Sequence, residues 1–270
     1  MSLLKLSDGE LFYEAKGSGT PLLFLHAGIA DSRMWDAQFS YFSSRFHVIR
    51  CDLRGYGQSL LPNGELSYHE DIRSLVDGLG LSEVCLVGAS FGGRVAIDFA
   101  LAYPEKISKL VLVAAVVGGF VPANEVAEFN KQEDLLLEGG NFDDATELNL
   151  RMWVDGPHRG PGEVSPPIRN LVGEMQLQAF RHPEPEHASV AQQDLPPAIE
   201  RLHEIACPVL VLSGDLDTPE FLGLSDLLAD RIPGAARNTI SGAAHMVSME
   251  SPSQFNKLLL EFLSRPLSTR

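Results

Sequence analysis

Cysteine is scarce: Cys51, Cys85 and Cys207 are the whole complement of a 270-residue chain. An odd, widely spaced set, each within or beside an apolar run, lays out no disulfide scaffold. It reads as buried thiols in strands, in a protein kept in a reducing compartment. Basic residues are in deficit as well. Lys and Arg number 21 against 36 Asp and Glu, a formal charge of −15. A nucleic-acid binder displaces counterions with a basic stripe, and no Lys/Arg cluster occurs here. Neither nucleic acid nor an anionic membrane is therefore an expected partner. The longest apolar run, Leu110 to Val117, is extended only by Gly118-Gly119-Phe120-Val121 before Pro122. That falls short of the roughly 18–20 residues a membrane helix takes. The opening MSLLKLSDGE lacks the basic head and apolar stretch of a secretory leader, so a cytoplasmic location is expected. Internal repeats and low-complexity tracts are missing too. What remains is a globular composition, 44% hydrophobic and 21% charged, long enough to bury a full core.

Two kinds of segment alternate up to about residue 120. Strand-like runs occur at Leu22–His26, Phe46–Cys51, Val84–Val87 and Leu110–Val116. Between them the spacing is helical. Ser67 and Glu70 form a capping-box pattern ahead of Ile72, Leu75, Val76 and Leu79, with Gly80 as a stop. A second helix runs from about Phe91 to Tyr103 and ends at Pro104. Apolar strands separated by helices predict a mostly parallel sheet covered on both faces. The alternation breaks at Gly118-Gly119 and resumes near Pro208 with the strand Val209–Ser213. Thr218-Pro219 and Ser251-Pro252 then mark two helix starts. The expected organisation is an α/β core, residues 1–120 and 196–270, interrupted by a helical insertion at 121–195.

Chemistry concentrates at three places. Gly88-Ala89-Ser90-Phe91-Gly92 matches G-x-S-x-G and lies between an apolar strand and a helical run, the strand-turn-helix setting of a nucleophile elbow. Side chains at 88 and 92 would collide with neighbouring backbone there. A serine hydroxyl needs a base, and the base needs a carboxylate to orient it. His245 fits the base: it follows Gly242-Ala243-Ala244 in a short loop after the strand-like Arg237–Ile240. Two carboxylates compete for the third place. Asp217 is favoured because it stands just before a helix, whereas Asp215 is suited to capping its own turn. An oxyanion hole completes the set. Its donors are expected to be the N–H of Phe91 and, from the loop His26-Ala27-Gly28-Ile29, that of Gly28, with Ile29 as the alternative. His26 then braces this loop. His47, His69, His158, His182, His187 and His203 have no partner motif and read as structural or solvated. No Cys/His spacing suits a metal, and neither metal nor cofactor is expected.

Taken together, His26-x-Gly28, Trp35, Asp52-x-Arg54-Gly55-x-Gly57-x-Ser59, Gly88-x-Ser90-x-Gly92, Gly214-x-x-Asp217 and Gly242-x-x-His245 resemble the α/β-hydrolase superfamily across essentially the whole core. The resemblance implies that fold, a mostly parallel central sheet flanked by helices, with the insertion as a helical cap after the sixth strand. It implies Ser90, Asp217 and His245 as nucleophile, acid and base, with Gly28 and Phe91 as oxyanion donors. Ala27 departs from the usual His-Gly. Ser90 stands where the haloalkane dehalogenases and epoxide hydrolases of this fold carry aspartate, so those activities are not implied. Enol-lactone hydrolases, carboxylesterases and meta-cleavage C–C hydrolases look similar. Asp52-Leu53-Arg54-Gly55-Tyr56-Gly57 is shared by all of them and reads as a structural turn with an Arg–carboxylate brace. The expected function is hydrolysis of a small carboxylic ester or lactone. Acyl transfer, perhydrolysis, C–C hydrolysis and a hydrolase-fold small-molecule receptor stay open, as does monomer against homodimer. Trp153, in Arg151-Met152-Trp153 at the end of a helix beginning near Asp143, is an expected substrate contact as well as a packing residue. Ile29 and Met246 are further expected contacts.

Overall fold

A computed structural model describes residues 2–183, 185, 187–190 and 196–266. The chain runs through β1 (Ser2–Lys5), β2 (Glu10–Lys16), β3 (Pro21–Leu25), α1 (Asp36–Phe42) and β4 (His47–Cys51). β5 (Glu65–Leu66), α2 (Tyr68–Gly78), β6 (Val84–Ala89), α3 (Phe91–Ala102) and β7 (Ile107–Val113) follow. Next come α4 (Asn124–Glu138), α5 (Phe142–Asn149), a π-helical stretch Leu150–Asp155, and α6 (Pro166–Phe180). The remainder is β8 (Ser189–Val190), α7 (Ala198–Arg201), β9 (Val209–Gly214), α8 (Pro219–Arg231), β10 (Ala236–Ile240), α9 (Val247–Glu250) and α10 (Pro252–Leu263). The helices α4 to α6 occupy the expected insertion and follow β7, the sixth strand of the main sheet in chain order. The far limit expected at residue 195 lies outside the described residues.

Eight strands form that sheet in the order β1-β2-β4-β3-β6-β7-β9-β10. β1 and β2 pair antiparallel, as do β2 and β4, and the rest are parallel. Successive side chains of a strand face opposite ways, so each apolar strand feeds two cores. Leu22, Phe24, Cys85, Val87, Val111, Val113, Leu210 and Leu212 join one core with Phe42 of α1 and Phe255, Leu259 and Phe262 of α10. Leu23, Leu25, Val84, Leu86, Leu110, Leu112, Val209 and Val211 join the other with α2, α3 and α8. The first core continues into the insertion through Val126, Phe129, Trp153, Val172 and Met175. No helix among the described residues is long and apolar enough to cross a membrane.

Several local expectations change. The antiparallel edge β1–β2 carried no apolar-run signal. β7 begins and ends three residues before the expected Leu110–Val116. Ser108 and Lys109 hide its start, and Ala114, at φ +44°, breaks the strand. Lys109 is in the sheet because its ammonium caps α10, donating to the carbonyls of Phe262, Leu263 and Arg265. Ser67 does stand at the start of α2, but its side chain makes no cap. Its Oγ bonds His69 Nδ1 at 3.0 Å, while Glu70 is drawn away to Arg73 and the Tyr103 hydroxyl. At α8 the cap forms as expected, Thr218 accepting from the Phe221 N–H. The three cysteines are buried, Cys51 in β4, Cys85 in β6 and Cys207 just before β9. Burial pushes the Cys51 and Cys85 thiols up.

Candidate active site

In open parallel sheets, ligands bind beyond the carboxyl ends of the strands where the strand order reverses. Here that point lies between β3, whose next strand β4 sits on one side, and β6, which sits on the other. The loop after β3 carries Gly28 and Ile29, and the turn after β6 carries Ser90. Ser90 adopts φ 48°, ψ −113°, a conformation that costs a non-glycine residue about 1–3 kcal/mol. Backbone bonds hold it there: its N–H donates to the Val113 carbonyl (2.9 Å), and its own carbonyl accepts from Gly93 (2.9 Å), Val116 (3.1 Å) and Arg94 (3.2 Å). The flanking glycines are needed for close approach. A Cβ on Gly88 would run into the Gly92 carbonyl, and one on Gly92 into the carbonyls of His26 and Leu25.

His26 is fully buried and locks the β3 loop. Its Nε2 accepts the Leu53 N–H (2.9 Å), so Nδ1 carries the proton and donates to the Ala27 carbonyl (2.8 Å). Burial lowers the affinity of this ring for a second proton, outweighing the pull of Asp52 and Asp31. Ala27 is not among the residues at positive φ, so this loop accommodates alanine without strain. A Cβ placed on Gly28 would stand 3.4 Å from Phe91 Cβ and 3.6 Å from the Tyr56 hydroxyl. The loop therefore approaches the start of α3, where Phe91 sits.

The expected acid and base meet across the next pair of strands. Backbone bonds from Asp215 to the Ile240 carbonyl (3.0 Å) and from Leu216 to that of Ala243 (2.9 Å) dock the turn after β9 on the loop after β10. His245 Nδ1 then donates to Asp217 Oδ2 at 2.8 Å, with both side chains buried. Asp217 Oδ1 accepts the Thr218 N–H. Asp215 faces elsewhere, accepting from the Ser241 hydroxyl and the Gly242 N–H. With Nδ1 committed to Asp217, Nε2 of His245 is the nitrogen available to a reacting group.

Ser90 and His245 line one cavity of about 940 Å³, together with Gly28, Ile29, Phe91 and Trp153. Met246 does not line it. Its side chain is buried in the core, and its carbonyl accepts from Met249 and Glu250 in α9; the turn after His245 points the next side chain inward. Trp153 is both core and wall, its ring 4.8 Å from that of His245, 5.2 Å from Phe129 and 5.1 Å from Phe221. Phe221, 4.7 Å from His245 and edge-on, was not foreseen. Its place in the first turn of the helix after Asp217 was the available signal. His182, expected to be solvated or structural, does both structural and lining duty: it donates to the Gly57 carbonyl at 2.8 Å and faces the cavity. The Asp52–Ser59 turn is braced as expected. Asp52 accepts from the Ser32 and Gln58 N–H groups, and Arg54 reaches Asp8 at 3.3 Å. Arg54, Gly55 and Tyr56 of this turn also form cavity wall.

The arrangement suits acyl chemistry: a strained serine at a helix start, a carboxylate-oriented imidazole, and a backbone loop beside the serine. A family model described as alpha/beta hydrolase fold matches residues 20–252. A putative carbamate hydrolase RutD from Caulobacter sp. (strain K31) is 28% identical over 282 residues, covering 95% of this chain and 96% of its own. A 2-hydroxy-6-oxononadienedioate/2-hydroxy-6-oxononatrienedioate hydrolase from Paraburkholderia phymatum is 28% identical over 267 residues, 94% of this chain and 90% of its own. Among solved structures, a thermophilic esterase from Thermogutta terrifontis superposes with a TM-score of 0.81 at 25% identity, covering 97% of this chain and 98% of that one. With the family model spanning most of its length and both cores built as described, the chain belongs to the α/β-hydrolase fold family.

Proposed function

We propose that this hydrolase cleaves a small carboxylic ester or lactone through an acyl-enzyme on Ser90. The observation that carries the reading is the 2.8 Å hydrogen bond from His245 to Asp217 in the wall of the cavity that Ser90 enters. Ser90 Oγ attacks the carbonyl carbon while Nε2 of His245 takes its proton. Asp217 keeps the imidazole in the required tautomer and favours the imidazolium that forms. The N–H groups of Gly28 and Phe91 bind the tetrahedral oxyanion. The leaving alkoxide takes the proton from His245, and a water activated by the same nitrogen releases the acid. The α4–α6 insertion acts as a cap that encloses the reacting carbonyl. The rings of Trp153 and Phe221, 4.8 and 4.7 Å from that of His245, pack on the imidazole and keep water from it.

The test is Ser90→Ala. Turnover of p-nitrophenyl acetate should fall by about 10⁴-fold or more, and labelling by a fluorophosphonate should vanish, with the thermal unfolding transition retained. Labelling that persists on another residue, with activity intact, would sink the assignment. A single stoichiometric burst in the wild type, without turnover, would instead make the protein a receptor.

A further inference from the structure

Beside the nucleophile the cavity wall carries a hydroxyl for which the chemistry above has no task. Tyr56 lines the cavity together with Ser90, Gly28 and Phe91. Its hydroxyl makes no hydrogen bond among the described residues, yet it is not one of the polar atoms sealed from solvent, so it opens into the cavity. It stands 3.6 Å from the point a Cβ on Gly28 would occupy, and that point is 3.4 Å from Phe91 Cβ. The two residues expected to supply the oxyanion N–H groups are therefore its neighbours. The ring is held firmly in this place. It meets the His26 ring edge-on at 5.0 Å and lies 6.3 Å from that of Phe91. The Tyr56 N–H donates to the Leu53 carbonyl (3.0 Å), and its own carbonyl accepts from Ser59 (2.9 Å). Leu53 in turn donates to His26, the residue that locks the Gly28 loop. Hydroxyl and loop thus share one anchor. Burial pushes the phenol up, so it stays protonated at neutral pH and is a donor. A largely buried tyrosine hydroxyl normally has a partner in the protein, and this one has none except what enters the cavity.

We propose that the Tyr56 hydroxyl is a third donor to the oxyanion, beside the N–H groups of Gly28 and Phe91. The inference rests on the acyl-enzyme reading above and adds a catalytic residue to it. As Ser90 attacks, the carbonyl double bond becomes a C–O⁻ single bond, and the O–H of Tyr56 donates to that oxygen. No proton is transferred: the phenol stays neutral and gives the same hydrogen bond to the tetrahedral intermediates of acylation and deacylation. A donor aimed where charge develops lowers the barrier more than it stabilises the bound ester. Gly28 supports this role. It is not at positive φ, and a Cβ there would meet only ordinary contacts, so the backbone does not demand glycine. The missing side chain instead leaves the hydroxyl open to the reacting carbonyl. Tyr68 is the other phenol on this wall, and its hydroxyl is already given to the Arg54 carbonyl at 3.4 Å.

The experiment compares the wild type with Tyr56→Phe, which removes only the oxygen. On p-nitrophenyl acetate kcat should fall by about 100-fold with KM within about twofold, because both steps pass through an oxyanion. Affinity for hexyl trifluoromethyl ketone, which forms a tetrahedral adduct on the serine, should fall by a similar factor. Inhibition by acetate, the planar product, should not change. A kcat within about twofold of the wild type overturns the inference. So does a loss confined to KM, and so does a fall in kcat that leaves the ketone affinity unchanged. If thermal unfolding shows that Tyr56→Phe does not fold, a crystal structure of the wild-type ketone adduct carries the test. The adduct oxygen should lie within about 3 Å of Tyr56 Oη, and a separation beyond about 3.5 Å overturns the inference. Wild-type turnover with an unaffected variant overturns the role of Tyr56 alone. Absence of turnover in the wild type, with no adduct on Ser90, overturns the acyl-enzyme reading with it.

Discussion

Asp215 and Asp217 stand two residues apart after β9, and their hydrogen bonds assign them different work. Asp217 accepts from His245, whereas Asp215 ties the Ser241 hydroxyl and the Gly242 N–H into the neighbouring loop. Asp217→Asn should keep the shape but favour the wrong imidazole tautomer, lowering kcat by about 10⁴-fold. Asp215→Asn should weaken two bonds of the loop, costing about 1–2 kcal/mol of stability and leaving kcat within a few-fold. Steady-state ester hydrolysis and urea unfolding of both variants decide the matter, and a reversed ranking would make Asp215 the acid. At this scale Ser90, Asp217 and His245 are visible in the sequence as candidates, because each sits at a fixed offset from a glycine that its turn requires. Phe221 and the burial of Met246 are not visible, since they depend on how two turns face each other.

Between elements, the link that holds the His245 loop to the insertion comes from two residues with no motif. Glu250 of α9 accepts the Ala244 N–H (3.0 Å) and pairs with Arg159 at 2.7 Å, the side chains 5% and 12% exposed. Arg159 also donates to the carbonyls of Val154 and Asp155, at the end of the π-helical stretch. That stretch, Leu150–Asp155, is what turns Trp153 onto His245, and it is anchored by Asp155 against Arg169 of α6 (3.0 Å). A wide helical turn of this kind is common at functional sites. Arg159→Met leaves the Glu250 carboxylate buried without its cation. It should lower stability by about 3 kcal/mol, read by urea unfolding, and raise KM for esters as the His245 loop and the π-helical stretch lose their shared anchor. Unchanged stability would show that Glu250 is satisfied by the Ala244 N–H alone. The sequence predicted a plain helix here, because a π-turn leaves no periodic signature over six residues.

Across the molecule, the proposed division of labour is that the sheet carries the acyl chemistry and the insertion selects which acyl and alcohol groups reach it. Trp153, packed on His245, Phe129 and Phe221, is the test of that division. Trp153→Ala should cost about 3–5 kcal/mol in stability and change relative kcat/KM across esters of increasing acyl and alcohol length. A uniform loss that tracks stability would make Trp153 a packing residue alone. By itself the sequence determined the layered core, the strand–helix alternation after β2, and the places of Ser90, Asp217 and His245 at the turns after their strands. Those depend on local periodicity and on turns whose residue choice is dictated by backbone geometry. Only the tertiary structure decided the antiparallel edge, the π-helical turn, the Arg159–Glu250 tie and the approach of Tyr56 to Gly28. Each depends on backbone pairing or on side-chain contacts that no spacing of residue types along the chain encodes.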